Sequence, residues 1–220
     1  MSIQANLTTI KNSLPEQVTL VAVSKTKPVA DLMEAYNAGQ RIFGENKIQE
    51  MADKWEQMPK DIEWHMIGHV QTNKVKYMAP FVSLVHGVDS LKLLKEINKQ
   101  AKKNDRVIDC LLQMHIAEED TKFGMDEKEL EELLSSDTFK QMENVKVTGL
   151  MGMATFTDNE SQVEKEFTRL KTIFDSLRKH PETQNLKPET LSMGMSGDYK
   201  TAIKCGSTMV RIGSSIFGSR

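Results

Sequence analysis

The sequence predicts a closed (β/α)8 barrel of the TIM type with one extra helix at its N-terminus. Three observations carry this. Eight short, apolar, β-branched runs recur along the 220 residues. Each but the last is followed by a stretch with helical spacing. No linker, charge block, low-complexity tract or repeat of roughly 20 to 50 residues divides the chain, so residues 1–220 read as one domain. Strictly alternating strands and helices imply a parallel sheet, because parallel neighbours need a crossover between them. Eight units suit a barrel, and the length lies near the compact end of that fold's range. An open doubly wound sheet is the alternative arrangement of the same elements.

Taken in order, a helical pattern over residues 3–13 opens the chain. Residues 18–23 (VTLVAV) are the first strand, and Pro28 opens an amphipathic stretch through residue 38. Residues 41–43 are the second strand, with a polar helical segment to about residue 58. Residues 62–67 are the third, ahead of a helix-like stretch to residue 78. Residues 81–85 are the fourth, followed by residues 90–103 with Leu91, Leu94, Ile97 and Ala101 at helical spacing. Residues 107–112 are the fifth; after a loop, residues 126–134 are rich in helix formers. Residues 145–150 are the sixth and precede a long helix over residues 160–179. Residues 190–193 are the seventh and precede a short segment over residues 199–204. Residues 209–212 are the eighth; Arg220 follows so soon that little is expected beyond the barrel.

Composition narrows the function. Hydrophobic residues at 39% and charged residues at 27% make an ordinary soluble mixture. Lys and Arg number 29 against 31 Asp and Glu, a formal net charge of −2. That excludes whole-surface attraction to nucleic acid or an anionic membrane, though not a local phosphate pocket. The opening MSIQANLTTIKNSL has no long apolar core and reads as neither signal peptide nor anchor. No stretch approaches the roughly 18 to 20 apolar residues of a membrane helix. Cys110 and Cys205 match no metal or redox spacing. The expectation is a cytoplasmic protein with free thiols and, lacking a large exposed apolar face, a monomer.

Unusual polar residues fall at the C-terminal ends of the strands, where barrel active sites collect. The first strand runs into Ser24-Lys25-Thr26-Lys27-Pro28. A lysine partly buried there loses hydration, which lowers its pKa and lets its amine attack a carbonyl. An ammonium that snorkels to solvent at the rim is the plainer reading, and on this feature alone the better one. The eighth strand ends in Arg211-Ile212-Gly213-Ser214-Ser215, and the seventh leads into Gly194-Met195-Ser196-Gly197-Asp198. Glycines let the backbone approach a ligand, and barrels often hold phosphate in these two loops. The same residues also serve as tight-turn glycines and, for Ser196 or Asp198, as a helix cap. Asn46 ends the second strand beside Glu45, and His65 lies inside the third, where a lone histidine is more often a satisfied core residue. His86 and Asp89 at the fourth strand read equally as a structural hydrogen bond and a helix cap. Met151, Met153, Met193 and Met195 read as packing at the barrel top. Zinc-protease, hydrolase-elbow and P-loop motifs are absent from the sequence.

Taken jointly, these segments resemble one family, the pyridoxal 5′-phosphate (PLP) homeostasis proteins. The matching stretches are VAVSKTKP at residues 21–28, FGEN at 43–46 with Gln49 and Glu50, and WHMIG at 64–68 with Gln71, Asn73 and Lys74. Further matches are HGVDS at 86–90, KFG at 122–124, LSMGMS at 191–196 with Asp198, and VRIG at 210–213 with IFG at 216–218. They run in the same order over nearly the whole chain. One departure is His115, read into the fifth strand, where the family pattern has an asparagine. The resemblance implies the barrel of the alanine racemase N-terminal domain. It implies that Lys25 holds PLP as a Schiff base, with the phosphate against Ser196, Gly213 and Ser214. Arg211 would hydrogen-bond the pyridine nitrogen, and Asn46 and His65 would line the pocket. A guanidinium only donates, so that nitrogen would stay neutral and be a poor electron sink.

The leading expectation is therefore a protein that buffers or delivers PLP without strong catalysis of its own, with apo PLP-dependent enzymes as possible recipients. The chain is expected to have no room for the second domain that racemases of this fold use. The alternative is a small PLP-dependent amino-acid racemase, with Lys25 on one face and His65 or Tyr199 on the other. From the residues without the family, a Schiff-base aldolase acting on a sugar phosphate is a further reading.

Overall fold

The β-branched runs pair as parallel strands, whose outward side chains are covered by helices and whose inward ones fill the barrel. The computed structural model describes residues 2–118, 123–181 and 183–218. Its strands are β1 (Thr19–Val23), β2 (Ile42–Glu45), β3 (Glu63–Met66), β4 (Leu84–Val88), β5 (Ile108–Gln113), β6 (Val145–Met151), β7 (Leu186–Ser192) and β8 (Met209–Ile212). They pair in chain order and β8 returns to β1, with Val21 opposite Arg211, to close the barrel. The open-sheet alternative is thereby set aside.

The helix layer begins with α1 (Ile3–Ser13), the extra N-terminal helix, capped by the Ser2 hydroxyl. It is followed by α2 (Val29–Asn37), α3 (Ile48–Gln57), a 3-10 turn over Thr72–Lys74, α4 (Val75–Met78) and α5 (Leu91–Lys103). The remainder are α6 (Glu127–Ser135), α7 (Asp137–Lys140), α8 (Glu160–Leu177), α9 (Tyr199–Lys204) and α10 (Ser214–Phe217). Helix α5 buries Leu93, Leu94, Ile97 and Ala101, one stripe of its surface. Its cap is Ser90, whose hydroxyl accepts from the Leu93 amide, and Asp89 instead meets His69 at 3.3 Å. Helix α6 starts in a reciprocal capping box between Asp126 and Glu129.

Outward side chains of the strands pack against these helices; Trp64 is fully buried there, its ring 6.0 Å from that of Phe43. Inside the barrel, Val21, Leu84, Leu111, Met151 and Met209 form a separate apolar cluster. Cys110 is buried, Cys205 half-buried, and neither is in a disulfide.

Three expectations shift. Strand β4 begins at Leu84 rather than Phe81, because the amides of Phe81 and Val82 close the turn after α4 onto the Met78 carbonyl. Strand β7 begins at Leu186 and ends at Ser192, so it carries Pro188, which a register shift opposite Val147 and Gly149 absorbs. The end of β8 is followed by α10, where a bare terminus was expected.

Candidate functional site

A barrel gathers the C-terminal ends of its strands at one mouth, and alternation sends every second side chain inward. Among the inward positions, polar groups follow the apolar cluster: His65 on β3, His86 on β4, Gln113 on β5, Ser192 on β7 and Arg211 on β8, none more than 4% exposed. A cavity of about 660 Å³ opens at this end, bordered by Gln113 and Arg211. Lys25, half-buried two residues past β1, borders it, as do Lys27 and Asn46. So do Ser196 from the loop before α9, and Gly213 and Ser214 past β8.

Of the seven residues singled out by sequence, six share this one cavity, and His65 does not. His65 stands in the interior, its Nδ1 3.1 Å from Nε2 of His86. His86 Nδ1 is 3.1 Å from the Ser192 hydroxyl, to which Arg211 donates at 2.5 Å. Arg211 also donates to the Gly152 carbonyl at 3.1 Å. A guanidinium only donates, so the Ser192 oxygen accepts from it. Ser192, His86 and His65 continue from it as one buried hydrogen-bonded chain. Both imidazoles are neutral: burial drives His65 down to about 3, and burial with the neighbouring His65 and Arg211 drives His86 well below the ordinary range. Burial lowers Arg211 to about 10, which leaves it charged at neutral pH.

At the other border, two loops meet. The Gly213 amide donates to the Ser196 hydroxyl at 3.2 Å. A Cβ built on Gly197, which also borders the cavity, would meet nothing within 4 Å, so bare backbone faces open space there. Asp198 borders the same space, but one carboxylate oxygen is turned to the Met195 amide at 2.5 Å. The arrangement offers hydroxyl and amide groups at one border, a guanidinium at another, and primary amines at a third. That set suits a small phosphorylated ring bearing a carbonyl.

Sequence reading did not single out the wall that His69 and Phe123 build, their rings stacked 4.2 Å apart. The partners are far apart in sequence, and no local pattern announces them. Lys122 of the quoted KFG stretch lies outside the described residues. Tyr199, offered as a racemase partner, is buried and places its hydroxyl 3.5 Å from that of Ser13 on α1, away from the cavity wall. His115 lies past β5 rather than within it, its amide donating to Met125. Met151 and Met193 are fully packed, while Met153 and Met195 border the cavity.

Comparison with known proteins places these features among relatives. The family model for the alanine racemase N-terminal domain matches residues 1–220. The pyridoxal phosphate homeostasis protein of Aquifex aeolicus is 41% identical over 202 residues, 91% of this chain and 86% of the relative. That of Escherichia coli K12 is 37% identical over 213 residues, 94% of this chain and 87% of the relative. PipY of Synechococcus elongatus PCC7942, solved with PLP bound, superposes with a TM-score of 0.90 at 32% identity, covering 99% of this chain and all of its own. An alanine racemase from Clostridium difficile shares the fold, with a TM-score of 0.83 at 16% identity over 57% of its length.

Proposed function

Because the chain belongs to the pyridoxal phosphate homeostasis proteins, of the alanine racemase N-terminal domain family, we propose that it binds PLP in the barrel-mouth cavity and buffers or delivers it. The observation that carries this reading is the convergence of Lys25, Ser196, Arg211, Gly213 and Ser214 on one cavity. Its volume of about 660 Å³ lies within the roughly 300 to 1,000 Å³ of small-molecule sites.

When bound, the cofactor supplies an aldehyde that condenses reversibly with a primary amine. Lys25 is the amine placed to hold it, and reversibility permits transfer to another amine. Ser196 and Ser214 would hold the phosphate through their hydroxyls, with Gly213 bringing bare backbone beside it and orienting Ser196, which needs no cluster of cations. Arg211, fixed through Ser192 and Gly152 at the cavity border, has only donors to offer and would favour an unprotonated ring nitrogen beside it. An unprotonated ring withdraws electrons weakly, which supports holding the cofactor over carbanion chemistry. Neither His65 nor Tyr199 borders the cavity, so the second acid–base group of a racemase is not supplied from those positions.

Residues 1–220 act in this reading as one cytoplasmic, monomeric unit, with PLP-dependent enzymes lacking cofactor as recipients. The test is borohydride reduction of the protein incubated with PLP, followed by peptide mapping. A reduced adduct on Lys25 is the expected result. A protein that takes up no PLP, or takes it up with no adduct on Lys25, overturns the reading.

A further inference from the structure

Lys25 is flanked on both sides by backbone that a buried ion-pair cluster holds. Thr26, the residue after it, adopts φ 65°, in the left-handed region that β-branched residues rarely enter. Its amide donates to Glu50 Oε1 at 2.6 Å. The same Glu50 oxygen takes Lys54 Nζ at 2.7 Å, one turn along α3. Lys54 Nζ also donates to the carbonyl of Ser24, the residue before Lys25, at 2.9 Å, and to Glu45 Oε1 at 2.7 Å. The Ser24 hydroxyl donates to that Glu45 oxygen at 2.6 Å. The side chains of Glu45 and Lys54 are 0% and 7% exposed, and that of Glu50 is 24% exposed. A buried lysine and two carboxylates thus grip the carbonyl before Lys25 and the amide after it.

We propose that Glu45, Glu50 and Lys54 are positioning residues that lock the turn bearing Lys25 and so aim its amine into the cavity. None of the three borders that cavity, so they act through the backbone and not by touching a ligand. The proposal rests on the reading that Lys25 takes the cofactor. Strain at Thr26 is what makes the clamp necessary: a threonine released from Glu50 relaxes toward negative φ and swings the flanking peptide with it.

The test compares Glu50→Ala and Glu50→Gln with the parent protein after PLP is stripped and re-added. The rate of borohydride-stable adduct formation at Lys25, the share of adduct on Lys27, and the melting temperature before PLP is added are followed. Glu50→Ala should slow the Lys25 adduct about tenfold, the equivalent of ~1.4 kcal/mol. It should raise the Lys27 share and leave melting within a few degrees. Glu50→Gln, whose amide oxygen still accepts from Thr26, should restore the rate to within about twofold. In a Thr26→Gly background, where glycine reaches positive φ without strain, Glu50→Ala should lose most of its effect. Parent rate and adduct position in Glu50→Ala would overturn the proposal, as would Glu50→Gln being as slow as Glu50→Ala. If Glu50→Ala does not fold, Glu50→Asp decides, because its shorter carboxylate draws back from the Thr26 amide while keeping a charge beside Lys54: a parent Lys25 rate and Lys27 share would overturn the clamp, and a slower rate with a raised Lys27 share would support it. Absence of a Lys25 adduct in the parent protein would instead sink the cofactor reading itself.

Discussion

Ser192 shows how much one hydroxyl can settle. It accepts from Arg211 and hydrogen-bonds His86, so it ties a charged group to the histidine pair in the barrel interior. Replacing it with alanine leaves a buried guanidinium hydrogen and a buried imidazole nitrogen without partners. A buried polar group so stranded costs about 1 to 3 kcal/mol. Ser192→Ala is therefore expected to lower the urea unfolding free energy by about 2 kcal/mol, and an unchanged midpoint would mean that the chain does not hold Arg211. Lys25→Ala is the opposite case. The side chain lies past the strand and outside the apolar clusters, so stability should change by less than about 1 kcal/mol while the reducible PLP adduct disappears from that peptide. Residues of the Lys25 kind are legible in sequence because a polar group directly follows an apolar strand. His65 was legible as a strand residue, but not whether its neighbour would be solvent, cofactor or another histidine. Lys54 was not legible at all: a lysine on a polar helix reads as solvated, and only the barrel wall beside α3 makes it a buried donor.

At the scale of elements, alternation was enough to place eight strands, yet strand ends depended on neighbours. Phe81 carries the apolar signal of a strand but stacks on Trp55 at 4.5 Å in the turn after α4. Strand β7 includes a proline because its partner does not demand that amide: Val147 pairs with Leu186 and Gly149 with Thr190, leaving residues 187–189 opposite one residue of β6. The close approach at that bulge makes its own prediction. A Cβ on Gly149 would lie 1.7 Å from the Thr190 carbonyl oxygen, a contact that only movement of the backbone can relieve. Gly149→Ala should therefore destabilise by about 3 kcal/mol or more, since two paired strands of the wall would have to separate. Chemical denaturation measures it directly; a loss below about 1 kcal/mol would show that β6 and β7 slide freely at the bulge.

The whole molecule is layered along the barrel axis: an apolar cluster, then a polar layer, then the cavity with its lysine and hydroxyls. Closure buries the two histidines of the polar layer, and that burial gives stability a pH dependence. His65 is held down to about 3 and His86 well below its ordinary value, both mainly by burial. The unfolded chain binds protons at both histidines below pH about 6.5 while the folded barrel does not, so stability falls as pH falls. With a folded value of about 3, His65 alone removes about 2 kcal/mol between pH 7 and pH 5. Folding also displaces carboxylates. Asp61, Glu96, Glu166 and Glu189 are held low and lose their contribution only as pH falls through the carboxylate range. Glu45 and Asp109, raised by burial, act in the opposite sense. The window between pH 7 and 5 therefore isolates the histidines from most of the carboxylate effect. Unfolding free energies measured across it should show a loss of about 2 to 4 kcal/mol in the parent protein. In His65→Gln, whose amide both donates and accepts and so keeps a bond to His86, that loss should shrink by about 2 kcal/mol. An identical slope in the two proteins would mean that His65 takes up its proton inside the folded barrel, and the histidine pair would then be within reach of solvent.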